Sequence, residues 1–266
     1  MKDLAGRKAL ITGGGTGLGR SIALKLAERG ADVILNYSRS GDDAEATAED
    51  VRALGVSAST VQADVASAED CAKLAEAAGG ALDILACNAG ITKHARNHGD
   101  LDALTADDFL RLYSVNVVGA FLAVQALKPA LVAAHEASGR ASAVLMTSSI
   151  AGVSGLGSSV AYAASKGAMN TMTLSLARGL APAIRVNAVC PGFIGTRWFK
   201  NAMDEDAYEA QVKRVEASVP LAAASGPDDI ADAAVFLLTD AARHVTGETL
   251  LVDAGAHLGF GGLKQK

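Results

Sequence analysis

Aromatic residues and positive charge are both scarce in this chain of 266 residues. Phe, Trp and Tyr make up 4% of the sequence, which leaves few side chains on which the bases of single-stranded nucleic acids could stack. Lys and Arg number 24 against 29 Asp and Glu, a formal net charge of -5, whereas a protein that binds nucleic-acid backbones needs clustered positive charge. The composition therefore argues against nucleic acid as a partner.

Cysteine is also rare, with three residues that are widely separated: Cys71, Cys87 and Cys190. Their spacing matches no zinc site, and a secreted disulfide framework has denser, even-numbered cysteines. His94 and His98 stand four apart, as metal ligands can, but no Cys or Glu completes a set, so we expect no metal. These observations favour a reduced, cytoplasmic protein.

Long apolar runs are few. The N-terminal residues lack the roughly 7–15-residue apolar stretch of a signal peptide. The segment that raises a membrane question, 115–134, is interrupted by polar and helix-breaking residues, namely Asn116, Gly119, Gln125, Lys128 and Pro129. We therefore expect a buried core helix and no membrane association.

Short apolar runs alternate with longer helical patterns along the chain. The runs predict strands at 9–12, 33–36, 59–63, 84–88, 143–147, 185–189 and 249–252, and helices near 17–29, 42–54, 67–78, 105–135, 160–180 and 227–239. The strands lack polar alternation, as when both faces of a sheet are covered. Repeated strand–helix–strand units predict an α/β protein, with a doubly wound parallel sheet of seven strands in a single domain over 1–266. Two irregular stretches, 91–104 and 192–226, follow strand ends, and we expect them to be substrate loops.

A glycine-rich turn follows the first predicted strand. Residues 9–21 read Ala-Leu-Ile-Thr-Gly-Gly-Gly-Thr-Gly-Leu-Gly-Arg-Ser, so a strand runs into a turn and then into a helix that begins near Gly17. Glycine lets a ligand approach the backbone closely, and the free N–H groups at a helix N-terminus favour a pyrophosphate. The spacing G-x-G-x-x-G fails at every register, and a P-loop pattern has Arg20 where lysine is needed.

A phenol and an ammonium share one helix face further along. Tyr162 and Lys166 are four residues apart in a predicted helix, which places their Cβ atoms roughly 5–6 Å apart. A tyrosine near its free pKa of about 10 is a weak acid–base catalyst at neutral pH, and a nearby positive charge lowers that pKa. Thirteen residues before Tyr162, at the end of the fifth predicted strand, stands Ser149.

Together these motifs resemble those of the short-chain dehydrogenase/reductase family. Thr12-Gly13-x-x-x-Gly17-x-Gly19 is similar to the family's cofactor turn, and Ser149 followed by Tyr162-x-x-x-Lys166 is similar to its serine, tyrosine and lysine set. Further matches occur in the family's order between residue 7 and about residue 255, at Asp64-Val65, Asn88-Ala89-Gly90, Asn116 and Pro191-Gly192. The resemblance implies a Rossmann fold, with 3-oxoacyl-[acyl-carrier-protein] reductases as the default members.

The resemblance implies four catalytic residues. Tyr162 exchanges a proton with the carbonyl or alcohol oxygen, and Ser149, favoured over its neighbour Ser148 by the spacing, hydrogen-bonds the same oxygen. Lys166 lowers the pKa of Tyr162 and holds the nicotinamide ribose, while Asn116 holds a water that links Lys166 to solvent. The implied activity is hydride transfer between NAD(P) and a ketone or secondary alcohol.

The implied cofactor site gathers residues from several strand ends: Gly13, Thr16, Gly17, Leu18, Gly19, Tyr37, Ser38, Arg39, Asp64, Val65, Asn88, Ala89, Gly90, Tyr162, Lys166, Pro191, Gly192, Ile194 and Thr196. NAD-preferring relatives have an acidic residue at the end of the second strand, where this chain has Tyr37. Its absence removes a charge that would repel a 2′-phosphate, and Arg39 offers a guanidinium that suits one. We therefore predict NADP(H) over NAD(H), with a merely solvated Arg39 as the alternative.

Other interpretations stay open at this point. The substrate is a 3-oxoacyl thioester, a sugar or another small alcohol, because the stretch after Thr92 looks longer than in acyl-carrier reductases. A catalytically silent, dinucleotide-binding regulatory protein is the alternative from another class. Trp198 and Phe199 fit a substrate wall and a core anchor equally well. By resemblance, the two long helices at 105–135 and 160–180 form the interface of a homotetramer.

Overall fold

The computed structural model describes residues 2–197 and 204–258. In these ranges one parallel sheet has seven strands: β1 (Lys8–Ile11), β2 (Asp32–Tyr37), β3 (Ala58–Gln62), β4 (Ile84–Cys87), β5 (Ser142–Thr147), β6 (Ile184–Pro191) and β7 (Thr249–Val252). Their order across the sheet is β3-β2-β1-β4-β5-β6-β7, so the winding reverses between β1 and β4. Crevices for ligands form at such a reversal, outside the carboxyl ends of the strands. The predicted doubly wound parallel sheet is confirmed.

Helices cover both faces of this sheet. They are α1 (Gly17–Glu28), α2 (Gly41–Ala53), α3 (Ala68–Ala78), α4 (Ala106–Tyr113), α5 (Ala120–Ser138), α6 (Ala151–Ser154), α7 (Val160–Leu180), α8 (Glu205–Ser218) and α9 (Pro227–Leu238). Side-chain caps set several starts: the Ser159 hydroxyl, for example, accepts a hydrogen bond from Tyr162 N at 3.1 Å at the beginning of α7.

Strand β1 shows why the predicted strands lack polar alternation. Successive side chains of a strand point to opposite faces of the sheet. Ala9 and Ile11 pack in the core formed with α1 and α9, whereas Leu10 packs in the core formed with α3, α5 and α7. All three are fully buried, so neither face leaves a position for a polar residue.

The predicted helix at 105–135 is divided in the structure. Between α4 and α5 the backbone is π-helical over Ser114–Gly119. A Cβ atom at Gly119 would lie 2.8 Å from the Val65 side chain, so this stretch packs closely on the segment after β3. By length and composition alone, Ala106–Ser138 could span a membrane, but Leu127 and Leu131 of α5 pack in the core beneath the sheet.

The stretch 192–226, predicted to be irregular, contains helix α8. Asp204 caps its first turn by accepting a hydrogen bond from Ala207 N at 2.8 Å. None of its residues is buried, so α8 has no apolar stripe with helical spacing to reveal it in the sequence. The short helix α6 was likewise not predicted. Trp198 and Phe199 lie outside the described residues.

Candidate active site

A cavity of about 1340 Å³ opens at the carboxyl ends of β1, β4, β5 and β6. Its walls include residues of the glycine turn, of the segment after β4, of the loop after β5 and of α7. Pockets for one small ligand typically measure about 300–1,000 Å³. The cavity therefore has room for two ligands side by side.

The glycine turn between β1 and α1 forms one end of the cavity. Gly17 begins α1 with φ of +54°, a left-handed backbone that favours glycine. A Cβ atom at Gly19 would lie 2.3 Å from the carbonyl oxygen of Gly13, so Gly19 lets the helix pack against its own turn. The structure thus places Gly19 behind the cavity wall, whereas Gly13, Gly17 and Leu18 line it.

Thr12 and Asn88 fasten the end of β1 to the end of β4. The Thr12 hydroxyl accepts hydrogen bonds from the backbone N–H groups of Asn88 at 2.9 Å and Ala89 at 3.0 Å. The Asn88 amide in turn donates to the carbonyl oxygens of Thr12 and Gly13, both at 3.1 Å. This network fixes the glycine turn against the segment that continues to Gly90.

Ser149 and Tyr162 meet in the cavity wall. Ser149 follows β5, and its hydroxyl accepts a hydrogen bond from Ala151 N at 3.1 Å. The Ser149 hydroxyl donates to Pro191 O at 3.5 Å and lies close enough to the Tyr162 hydroxyl to favour its phenolate. Ser148 is engaged elsewhere, because its hydroxyl donates to the carbonyl oxygen of Lys166 at 3.2 Å. The structure therefore brings two hydroxyl groups to one point of the cavity.

Burial determines the protonation of Tyr162 and Lys166. The pKa of the Tyr162 phenol is raised to about 12 because burial disfavours the phenolate, and the neighbouring Ser149 hydroxyl offsets this only in part. Burial lowers the pKa of Lys166 to about 8. Lys166 is not among the groups that shift the pKa of Tyr162 here, so the expectation that it lowers this pKa stays a prediction. The ammonium lies 5.6 Å from the centre of the phenol ring and donates to Thr147 O at 2.7 Å instead.

Asn116 is fully buried in the π-helical stretch and does not line the cavity. Its amide oxygen accepts a hydrogen bond from Ile91 N at 2.9 Å, and its amide nitrogen donates to Ile91 O and to the Ser165 hydroxyl, both at 3.1 Å. Both N–H donors are thus in use, so the side chain has only an acceptor position left for the expected water. Asn116 fixes the segment after Gly90 and the helix turn beside Lys166.

The predicted adenosine end lies outside the cavity wall. Tyr37, Ser38 and Arg39 end β2 and begin the loop before α2, and no ion pair of Arg39 is found among the described residues. The Asp64 carboxylate accepts a hydrogen bond from Ala66 N at 3.0 Å within its own turn. Val65 is buried against Gly119. Their predicted contacts with a cofactor therefore remain predictions.

Several other predicted residues line the cavity on the side of β6. Pro191 ends that strand, and Gly192, Ile194 and Thr196 follow it. A Cβ atom at Gly17 would meet the Thr196 methyl group at 3.3 Å, so this segment faces the glycine turn directly. In the part of the chain that the structure describes, no group of three His, Cys, Asp or Glu residues is placed to hold a metal ion.

Comparison with known proteins reveals similarity over nearly the whole chain. The family model described as "Enoyl-(Acyl carrier protein) reductase" matches residues 13–257. The protein named ketoacyl reductase 2 of the granaticin polyketide synthase, from Streptomyces violaceoruber, is 38% identical over 94% of this chain and 96% of its own length. This chain belongs to the short-chain dehydrogenase/reductase family.

Two further relatives agree with this assignment. The 3-oxoacyl-[acyl-carrier-protein] reductase FabG of Staphylococcus epidermidis is 34% identical, with 95% of this chain and 99% of that protein aligned. A solved structure of a short-chain dehydrogenase/reductase from Burkholderia xenovorans superposes with a TM-score of 0.85 at 35% identity, covering 95% of this chain and 98% of the other. The predictions of a Rossmann fold and of an oxidoreductase are confirmed.

Sequence reasoning missed several residues that line the cavity of this short-chain dehydrogenase/reductase. Arg197 forms an ion pair with Asp43 of α2 at 2.7 Å, which links the segment after β6 to the far side of the glycine turn. Arg96, Arg111 and Arg214 line the cavity as well. These arginines come from separate segments, so no local spacing in the sequence could have grouped them.

Proposed function

We propose that this short-chain dehydrogenase/reductase uses NAD(P) to interconvert a ketone and a secondary alcohol. One observation carries the proposal: the hydroxyls of Ser149 and Tyr162 meet in the wall of a cavity that also contains the N-terminus of α1. Two O–H donors that converge on one point suit a carbonyl oxygen that gains negative charge during reduction.

The residues of the β1–α1 turn fit a dinucleotide. Gly17 and Leu18 line the cavity at the start of a 12-residue helix, and the capping residue Thr16 makes no side-chain hydrogen bond to that helix. The first N–H groups of α1 are therefore available for a pyrophosphate, whose negative charge the helix dipole favours. When bound, the nicotinamide would supply or accept the hydride.

The side chains of this protein supply the proton and hold the reacting oxygen. With a pKa of about 12, Tyr162 keeps its proton at neutral pH and donates it to the substrate oxygen during reduction. Ser149 donates a hydrogen bond to that oxygen. Lys166, held by Thr147 O, would bind the ribose hydroxyls. Asn116 is a positioning residue, because it acts through Ile91 and Ser165.

We also propose a preference for NADP(H). Strand β2 ends in Tyr37, so the carboxylate that would repel a 2′-phosphate is missing from the loop that follows. Arg39 in that loop is exposed, and its guanidinium suits a phosphate dianion. Asp43 is nearby in the first turn of α2, but its charge is balanced by Arg197.

The names of the relatives guide the choice of substrate. Two of them are named as reductases of ketoacyl groups, which supports a 3-oxoacyl thioester as the first substrate class to test. The family model is described by enoyl reduction, a reaction at a carbon–carbon double bond. The Ser149 and Tyr162 hydroxyls can both donate to one carbonyl oxygen, which favours reduction of a ketone over reduction of a carbon–carbon double bond. A sugar or another small alcohol is the second candidate, since these two hydroxyls would bind the oxygen of the substrate and not its acyl chain.

A cytoplasmic location is part of the proposal. All three cysteines, Cys71, Cys87 and Cys190, are free and buried, as in a reducing compartment. Desolvation raises the pKa of each thiol, so all three stay protonated near neutral pH.

The test is a substrate panel with purified enzyme. A 3-oxoacyl thioester, the 2-enoyl thioester of the same chain length, a small ketone and a ketose are each mixed with NADPH or NADH, and dinucleotide oxidation is followed by absorbance. We expect turnover of a keto compound and none of the enoyl thioester. Dinucleotide binding without turnover of any compound would instead identify a catalytically silent regulatory protein.

A further inference from the structure

Three arginines without an acidic partner line the cavity. Arg96 belongs to the segment between β4 and α4, Arg111 to α4 and Arg214 to α8. All three are exposed, and none forms an ion pair with another residue in the described ranges 2–197 and 204–258. Three separate elements thus bring three guanidinium groups to one cavity.

The acidic residues near the cavity are already in use. Asp108 pairs with Lys93 at 3.4 Å, and Asp253 is buried and bonded to His257 at 3.0 Å. Arg197 is neutralised by Asp43. Among the described residues, the charged cavity residues without a charged partner are then the three arginines, the buried Lys166 ammonium and the Asp253 carboxylate, so the net charge of the cavity surface is positive. A cleft that carries one sign of charge concentrates ligands of the opposite sign.

The segment that carries Arg96 lies at the end of the cavity that holds the Ser149 and Tyr162 hydroxyls. Ala95 N donates to Ser158 O at 2.7 Å, and the His98 ring bonds Gly157 O at 3.2 Å. Residues 157 and 158 directly precede α7, the helix that begins two residues before Tyr162. Arg96 is thereby tied to the end of the cavity where the ketone would be bound.

The chain gives no structural reason for this arrangement. The side chain of Arg214 bonds only Gln211 within its own helix, at 3.3 Å. Within the described part of the chain, Arg111 accepts a hydrogen bond only through its backbone carbonyl, and the side chains of Arg96 and Arg111 form none. Like charges that converge on a cavity repel one another, and an anion removes that repulsion. Guanidinium groups bind carboxylate and phosphate oxygens in pairs.

We propose that the substrate carries an anionic group, a carboxylate or a phosphate, which Arg96, Arg111 and Arg214 bind while Ser149 and Tyr162 hold its ketone oxygen. This inference rests on the proposed function, whose substrate class it narrows. The cavity supports it by its size, because about 1340 Å³ accommodates such a substrate beside a dinucleotide.

The experiment compares charged and neutral forms of the same ketone at saturating dinucleotide. One pair is acetoacetate and its methyl ester, and the other is acetoacetyl-coenzyme A and acetoacetyl-N-acetylcysteamine. We expect kcat/KM to favour the anionic member of one pair by roughly tenfold or more, since a hydrogen bond to a charged group contributes that much. A preference in the first pair indicates a small keto acid as substrate, and a preference in the second pair indicates a phosphate-bearing thioester.

Variants assign the effect to the arginines. Arg96→Gln, Arg111→Gln and Arg214→Gln should each raise KM for the anionic substrate several-fold more than KM for its neutral analogue. Lys213→Gln is the matched control, because Lys213 is an exposed neighbour of Arg214 that does not line the cavity. Its kinetics should equal those of the unmutated enzyme.

Two results would overturn the inference: equal kcat/KM within both pairs, or an anion preference that survives in all three variants. If no ketone is turned over, the proposed function fails first, and calorimetric binding of both pairs in the presence of NADP still tests the arginines. Equal affinity within both pairs would then reject the anion site on its own account.

Discussion

Tyr162 and Lys166 share one face of α7, and burial pushes both groups toward their neutral forms. The neutral phenol is ready to donate a proton, whereas the lysine has a pKa of about 8 and is held in place by Thr147 O. A buried ammonium destabilises the folded protein. On the proposed function this destabilising group is kept for the reaction, so stability and activity should respond to its removal in opposite ways.

The substitution Lys166→Met tests this trade-off. From its ordinary value of 10.5, the pKa of Lys166 falls to about 8 on folding, so the unfolded chain binds more protons between these values and stability rises with pH across that window. We expect Lys166→Met to be more stable than the unmutated protein at pH 7 by about 1–3 kcal/mol, less the hydrogen bond to Thr147. At pH 10 the gain should nearly vanish.

Urea unfolding at both pH values measures the difference. Lys213 is exposed, so the free energy of unfolding of Lys213→Met should show no pH-dependent gain over the same range. This control distinguishes the effect of burying a lysine from the effect of removing any lysine. A gain for Lys166→Met that is equal at pH 7 and pH 10 would contradict the account.

Arg39 is the second residue with a direct test. If its guanidinium binds the 2′-phosphate, Arg39→Ala should lower kcat/KM for NADPH by roughly 10- to 100-fold and leave NADH within about twofold, because only the phosphate contact is lost. Arg52→Ala in α2 is a suitable control, since Arg52 is exposed and pairs with Glu45. An unmutated enzyme that prefers NADH would reject the NADP(H) assignment.

At the scale of elements, the carboxyl ends of the strands carry the cavity, and the loops after α8 and β7 form part of its wall. The segment after β7 shows strain: Ala254 has φ of +54°, in the left-handed region that favours glycine, and its carbonyl oxygen accepts a hydrogen bond from Leu221 N at 3.2 Å. This contact connects the loop after α8 to the end of the sheet. The strain is the cost of a turn that lies beside the cavity.

Ala254→Gly should therefore stabilise the protein by about 0.5–1 kcal/mol, because glycine adopts the observed backbone without a Cβ clash. The matched change Ala256→Gly, in the short helical turn Ala256–Leu258, should destabilise it instead. The measurement is the urea midpoint of unfolding of each variant, compared with that of the unmutated protein at the same m-value. A loss of stability in Ala254→Gly would show that the turn is not strained.

The sequence predicted the strands to within about two residues because both faces of the sheet are buried, which leaves short continuous apolar runs. It predicted Ser149, Tyr162 and Lys166 because one strand end and one helix turn fix their spacing. It missed α8, whose residues bury no apolar stripe. It also missed the arginine set, since tertiary packing alone brings those three segments together.

At the scale of the whole molecule, the long helices keep apolar side chains exposed. Leu110 of α4 is 68% exposed, Phe121 of α5 is 42% exposed and Leu174 of α7 is 53% exposed. Large apolar side chains exposed on helices are typical of surfaces that another molecule covers. The same helices form the interface expected of a homotetramer by family resemblance, so we propose that copies of this chain meet there.

Light scattering tests the assembly. We expect the unmutated protein to have the mass of a tetramer, and Phe121→Asp to have a smaller mass at the same concentration, because a buried unpaired carboxylate opposes association. Glu136→Asp, a conservative change in the same helix, should leave the mass unchanged. A monomeric mass for the unmutated protein would contradict the proposed interface.

The most direct test of the central claim follows the hydride and the proton separately. The enzyme is given a ketone substrate and a reduced dinucleotide in which both hydrogens on the transferring carbon are deuterium, and the alcohol is examined by mass spectrometry. We predict one deuterium on the carbinol carbon of the product, and for Tyr162→Phe a loss of kcat of at least about 100-fold with dinucleotide affinity within a few fold. Unlabelled product, or a Tyr162→Phe variant that retains most of its activity, would contradict the account.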